Sequence, residues 1–330
     1  MKQSLLKYEK FIVIIGLLLA FFLFAFIQHQ RHIQFLTTGW DLSVFDQPIF
    51  LASRGITPFS SLHNTHTLGD HFHPLLLVIG PLLYKFWPDP RMLLWLEVGV
   101  AVSSAAVIYV LSKSVLKEIK RLSPIKRLLI SGALTAMYLF SVGFQAMVLD
   151  DFHDDVMVTL PLTLAFWFIH KKNWLGYWLT VAWVLVTKEE FGLLVAAIGL
   201  FVIVNQKAVR IGLATILIGF VSFFILIELV MPHFNVGSFY PSGYLHYSDT
   251  NRPSLVLNRF IRHPTTIVSS FIDHPQKRYT LFTSLVSFAS LPLLSPWYLI
   301  PVSQTLLIRF IDNTACDYDD SAKHSLPWPH

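Results

Sequence analysis

The sequence predicts an all-α fold, a polytopic transmembrane helical bundle of about nine crossings, and three observations carry that prediction. Of 330 residues, 54% are hydrophobic and only 14% charged, with a mean hydropathy of +0.57, above the mix of a soluble domain. A crossing needs roughly 20 apolar residues, and no fewer than about 17, and several runs reach that length with one charge or none. The basic residues lie in short segments between those runs, where they orient helices in a bilayer.

The first run, Phe11 to Ile27, carries no charge and follows Lys2, Lys7 and Lys10. It is long for a signal peptide and lacks a small-x-small cleavage site, so it reads as a retained anchor. Residues 28–90 form the first outer loop. Within it, GWDLSVFDQPIF (39–50) puts Leu42, Phe45 and Ile49 on one helical face and Asp46 and Gln47 on another, which predicts a helix lying flat on the membrane. Asp41 is placed to cap its first turn and Pro48 to kink it. Leu75 to Trp87, holding Gly80, Pro81 and Lys85, is too short to cross and predicts an interfacial or re-entrant segment opened by Pro74.

Met92 to Ser112 carries only Glu97, Leu129 to Leu149 carries no charge, and Ile211 to Met231 carries only Glu228. Shorter spans follow from Val156 to Ile169, Trp174 to Thr187 and Phe191 to Val204. A hairpin from Tyr279 to Ile308, turning near Ser295 and Pro296, comes after a long outer loop at 232–278. With no repeat, low-complexity tract or Gly/Ser linker, residues 1–330 read as a single integral membrane domain.

Placing the N-terminus in the cytoplasm also places Lys113, Lys117, Lys120, Arg121, Lys126, Arg127, Lys171, Lys172, Lys207 and Arg210 there, so 13 of 25 basic residues share one side. The formal charge of +5 is thereby explained by topology, and no nucleic-acid partner is expected; the partner is the lipid bilayer of the cell membrane. Of 20 acidic residues only Glu9 and Glu118 fall inside, and of 14 histidines only His170. Any chemistry is expected on the extracytoplasmic face. The lone Cys316 can form no intramolecular disulfide.

Three outer clusters hold the candidate residues. In the first, Asp41 reads either as a helix cap or as a carboxylate at the lip of a cavity, available as a general base. In the second, HNTHTLGDHFHP (63–74), the spacings of His63, His66, His71 and His73 beside Asp70 would suit a divalent metal or ordinary surface groups. The third, LDDFHDDVM (149–157), places four carboxylates and His153 in six positions. Such carboxylates repel unless a cation joins them, for which Lys188 of the turn TKEEF and an arginine of another loop are candidates. In helical geometry Asp150 would pair with Asp154, and Asp151 with Asp155. The alternatives are a solvated acidic loop with Asp154 or Asp155 as N-cap, and a recessed polar pocket. The next span has only 14 residues, about 21 Å of helix, which would draw these acids below the headgroups and favours the pocket.

GWDLSVFDQ, LGDHFHPLLL, GPLLYKFWP, DDFHDDVMVTLPLTL, the KEE turn and LPLLSPWYLIP occur in an order that resembles an uncharacterised family of prokaryotic multi-pass membrane proteins, a domain of unknown function similar to the GT-C glycosyltransferases. The resemblance spans residues 39 to 305 and implies transfer of a sugar from a polyprenyl-phosphate carrier on the outer face, using an acid of the first outer loop. Asp41 matches that acid, with Asp46 second. HFHP with Arg91 looks like the segment before the second crossing, and Asp70, His71, His73, Arg91, His153, Asp154, Asp155, Lys188 and Glu189 are the implied substrate-binding set. Arg252, Arg259 and Arg262 of the long loop are candidates for the lipid phosphate, alongside Lys188, Lys277 and Arg278; membrane anchoring is the alternative for each. Metal ligands and cofactor are left unassigned, a divalent metal being one option. Relatives continue through further helices, whereas this chain stops at SLPWPH, which raises the expectation of a truncated, inactive member. The competing functions are a multi-pass transporter, for instance of a divalent metal, and a non-catalytic assembly partner.

Overall fold

The computed structural model describes residues 6–37, 39–235, 258 and 261–311. The fold is all-α. Among the described residues the helices are α1 (Glu9–Ile33), α2 (Trp40–Ser53), α3 (Thr67–Asp70), α4 (Pro74–Tyr84), α5 (Arg91–Glu118), α6 (Pro124–Leu139), α7 (Val142–Leu149), α8 (Thr159–Lys171), α9 (Trp174–Leu185), α10 (Phe191–Gln206), α11 (Val209–Ile225), α12 (Met231–Phe234), α13 (Thr265–Ser269), α14 (Pro275–Ser287) and α15 (Leu299–Ile311). The sole β pairing among them is a two-residue antiparallel ladder, Phe59–Ser60 with Thr65–His66, in the segment between α1 and α5.

Among the described residues three helices are long and apolar enough to cross a bilayer: α1, α5, and the continuous run Val209–Phe234, in which Leu226–Val230 is a π-helical turn. The expected span at 129–149 is a fourth only as a bent pair, α6 and α7 meeting at 43°. The break has a local cause. Ser141 caps α7 by accepting from Phe144 N at 3.2 Å, and the Gln145 amide reaches back to Leu139 O at 2.7 Å, so backbone groups freed by the bend are satisfied by side chains. Further crossings in the expected total of nine would fall to the shorter helices α8, α9 and α10 and to the C-terminal hairpin of α14 and α15.

α1 carries Phe11, Ile14, Leu18, Leu19, Phe22, Leu23 and Phe26 exposed along its length, with only 17% of its apolar window buried. An unpartnered apolar surface of that extent belongs against hydrocarbon. α10 and α11 pack closest: a Cβ on Gly199 would sit 2.7 Å from Gly212 O, and one on Gly219 would sit 2.5 Å from Gly192 O. Small residues let the two backbones approach where no hydrophobic drive joins helices.

The outer-loop helices form as their pattern predicts. α2 buries Leu42, Phe45 and Ile49 on one face, and Pro74 begins α4, which lies across α2 with Ile49 filling the space above Gly80. Beneath them lies a core of Leu76, Tyr84, Leu93, Leu94, Phe152 and Met157. Phe152, fully buried and edge-on to Phe45 at 5.3 Å, anchors the loop carrying the acidic cluster.

Charged groups segregate to the two ends of α5. At one end Glu9 meets Lys113 and accepts from Tyr109 at 2.7 Å, while His170 lies 3.7 Å from Glu118. The other end carries Arg91 paired with Asp89, and Glu97 bonded to the backbone of His153 in the acidic segment.

Candidate functional site

The segment between α7 and α8 is not helical where the acids begin. Asp150 to His153 are extended, and a 3₁₀ turn starts only at Asp154. The helical pairing of Asp150 with Asp154 and of Asp151 with Asp155 is therefore corrected: residues 150–153 are not on a helix, so no i, i+4 face exists there, and Asp151 and Phe152 are both fully buried. Asp151 instead turns toward α2, where its Oδ2 lies 3.4 Å from Leu42 N. That contact does the work expected of Asp41. The N-cap of α2 is Gly39, at φ 70°, with no side-chain cap bond, and Asp41 is released for another partner.

That partner is His153, whose Nε2 stands 3.4 Å from Asp41 Oδ2, both side chains partly exposed. The ring is oriented from behind, Nδ1 lying 2.9 Å from Asp151 O. Its own backbone N–H donates to Glu97 Oε1 at 3.2 Å, and Glu97 Oε2 accepts from Gln28 at 2.7 Å inside the bundle. His153 holds Asp41 below the ordinary carboxylate range, against the opposing effect of burial, with Lys188 adding to the depression. In return Asp41 raises His153 to about 9. At neutral pH the pair is carboxylate and imidazolium.

Next to it, Lys188 Nζ bonds Asp154 at 3.0 Å and Asp155 at 2.8 Å, and is 6% exposed. Arg309 of α15 also bonds Asp155, and lies 3.3 Å from Glu190. The far side of Asp154 faces His73 Nδ1 at 3.4 Å, while His73 Nε2 lies 2.9 Å from Thr67 Oγ1. Burial pushes Asp154 up, but Lys188, then His73 and His71, reverse it, and the net pKa lies well below the usual range. Burial pushes Lys188 down, and Asp154, Glu190 and Glu189 carry it back above its ordinary value. Glu189 accepts from Phe72 N at 2.8 Å and meets His71 Nδ1 at 3.0 Å. Burial raises Glu189, but His71 brings it below its ordinary value, and burial leaves Glu190 above its own. Thus Asp41, His71, His73, His153, Asp154, Asp155, Lys188 and Glu189, from four separate stretches of chain, form one network of three bonded groups, Asp41 with His153, Lys188 with Asp154, Asp155 and His73, and Glu189 with His71, joined through the chain neighbours His153–Asp154 and Lys188–Glu189.

The other candidates lie apart. Asp46 accepts from Tyr84 OH at 2.6 Å and is raised by burial. Arg91 is committed to Asp89 at 2.7 and 2.5 Å. Asp70 binds His63 at 2.6 Å. Arg262 is exposed, while Arg252 and Arg259 fall outside the described residues. The histidine spacing does not assemble a metal centre: His63 turns to Asp70, His66 stacks on Phe234 with centroids 4.8 Å apart, and His71 and His73 take separate carboxylates. Among the described residues no three such donors converge.

The family described as predicted membrane protein (DUF2079) matches residues 31–326, nearly the whole chain and every residue of this network but Gln28. The chain belongs to that family. No curated protein and no solved structure matches it. Within this family member, sequence reasoning missed Gln28, Thr67 and Arg309 as parts of the network. Glu97 did carry a signal, as the lone charge of its span, and such a residue is by default a functional candidate.

Proposed function

We propose that this membrane protein is a GT-C-like glycosyltransferase that takes a sugar from a polyprenyl-phosphate donor at the extracytoplasmic face. The observation that supports it best is the Asp41–His153 pair, an accessible ionised carboxylate held beside a fixed positive charge and backed by the buried Lys188 lattice. Asp41 takes the proton of the acceptor hydroxyl as that oxygen forms its bond to the anomeric carbon. The bond from that carbon to the phosphate oxygen breaks, and the departing lipid phosphate is neutralised by cations already in place. His153 and Arg309 are the partly exposed cations, and Lys188 sets the local field from beneath. The N-terminus lies in the cytoplasm, consistent with Glu9, Lys113 and His170 gathering at the opposite end of α5 from Asp41. Residues 1–330 act as one membrane domain, with 28–90 and 232–278 as its outer loops.

The test is transfer from labelled polyprenyl-phosphate sugars by the purified protein in nanodiscs. Asp41→Asn lowers the rate about 10²-fold or more, the range of general-base loss, while the size-exclusion profile stays that of the folded protein. Full transfer by that variant removes Asp41 from the chemistry. A transporter is the second reading, favoured by the titratable chain from His71 through Glu189, Lys188 and Asp154 to His73. Cation-dependent uptake into proteoliposomes without sugar transfer would replace the enzyme reading with it.

A further inference from the structure

Between the C-terminal hairpin, whose Tyr298 packs on Phe166 and Phe201, and the helices α6, α8 and α10 lies an open cleft of about 780 Å³. Its walls include Leu134 of α6, Leu162 and Phe166 of α8, Leu194 of α10, and Val302 and Leu306 of α15. Even the Thr305 hydroxyl turns away, donating to Pro301 O at 3.1 Å, so the wall presents hydrocarbon almost throughout. In a membrane protein such a cleft takes apolar chains rather than water.

Where the cleft leads is set by helical register. Val302, Thr305, Leu306 and Arg309 fall on one stripe of α15, with Arg309 seven residues, about 10 Å, beyond Val302. On α10, Leu194 lines the cleft and Glu190 lies one turn before it, and Arg309 reaches Glu190 and Asp155 there. Lys188 is enclosed, whereas the Arg309 side chain is 51% exposed. One turn beyond the lining residues Thr305 and Leu306 the stripe therefore carries a guanidinium, whose planar fork suits phosphate oxygens.

We infer that this cleft holds the hydrocarbon tail of a long-chain lipid phosphate and that Arg309 receives the phosphate. Glu190, at 3.3 Å and with its pKa raised by burial, is the contact that the phosphate replaces. The inference deepens the proposed function, resting on it only for the lipid's role as sugar donor. It makes Arg309, rather than the arginines of the long loop, the phosphate partner.

The test uses the full chain in phosphatidylcholine nanodiscs with a polyprenyl phosphate carrying a diazirine in its tail. Labelling is expected at Leu162, Leu194, Val302 and Leu306. Unlabelled polyprenyl phosphate should compete, while polyprenol and phosphatidylglycerol should compete at least ten-fold less well. Leu306→Trp, which fills the cleft, reduces labelling about ten-fold, and Arg309→Gln weakens phosphate competition about ten-fold, with size-exclusion profiles unchanged. Should either variant fail to fold, the wild-type labelling map decides alone. Label on the outer face of α1 or α11, or equal competition by polyprenol or phosphatidylglycerol, overturns the inference. Asp41→Asn must keep cleft labelling while losing transfer. Labelled cleft without any sugar transfer refutes the enzyme reading and leaves the lipid site standing; transfer with label elsewhere refutes the lipid site alone.

Discussion

Lys188→Met deletes the charge at the centre of the network while keeping the apolar stem, and its consequence follows from burial. Lys188 and Asp154 are 6% and 2% exposed, with Nζ 3.0 Å from the carboxylate. Removing one partner of a buried pair costs about 3–5 kcal/mol, because the other charge is left uncompensated. Asp155 is partly exposed and keeps Arg309, so solvent screening makes its share small. At roughly 2 °C per kcal/mol for a chain of this length, the melting temperature falls by about 6–10 °C. The loss depends on pH. The folded pKa of Asp154 lies below its ordinary 3.8, so its wild-type contribution is present above that value and fades as pH falls through the depressed one. Without Lys188 only His73 and His71 oppose burial, so the Asp154 pKa rises relative to wild type and the variant gains relative stability as the carboxyl protonates. The gap between the two proteins therefore narrows from pH 7 to 4. Adding Asp154→Asn recovers more than half the loss, since no buried lone charge remains. Tryptophan-fluorescence melts in one detergent measure all three proteins. A single variant within about 2 °C of wild type, or a double variant no more stable than the single one, refutes the reasoning.

His153 and Asp41 offer an independent pH test. His153, raised above its ordinary 6.5, contributes stability that is full below that value and lost as pH rises through about 9; Asp41, depressed below 3.8, loses its contribution only on strong acidification. Subtracting the Asp41→Asn melting curve from wild type should leave a gap that closes above pH 9, and a gap constant from pH 7 to 10 contradicts the ion pair. Gly219→Leu drives a side chain into Gly192 O and Ala196 N and should destabilise by about 1–3 kcal/mol or more, whereas Gly132→Ala, with open space around it, should be neutral or stabilising; equal melting temperatures for the two variants would show that α10 and α11 are not in close contact. Dialysis against EDTA should leave the melting temperature unchanged, because the four histidines of the first outer loop face different partners; a drop reversed by zinc would place a metal among them.

Local periodicity made α2 legible, since Leu42, Phe45 and Ile49 can share one face only in a helix, and Pro74 marked the start of α4 because its missing N–H is harmless at a first helical turn. The bend at Ser141 was not legible as an interruption of the 129–149 run, because hydropathy registers the apolar side chains and not the Ser141 and Gln145 bonds that make a break tolerable. The H-x-x-H and H-x-H spacings suggested a metal, yet backbone direction, which spacing leaves open, turned His66 onto Phe234 and His71 onto Glu189. A cation for the acidic cluster was expected on electrostatic grounds and is found in Lys188. Arg309 was overlooked because one charge ending an apolar helix looks like an anchor until its stripe is seen to reach Asp155.

By itself the sequence determined that the chain is helical, belongs in a membrane, and keeps most of its carboxylates and histidines between the spans. The cost of carrying charge into hydrocarbon is large enough to be written into composition and run length. Which acid meets which cation was decided only by tertiary structure. Asp41 and His153, like Asp154 and Lys188, are brought together by packing between segments distant in the chain, and a contact between such segments leaves no periodic trace in either one.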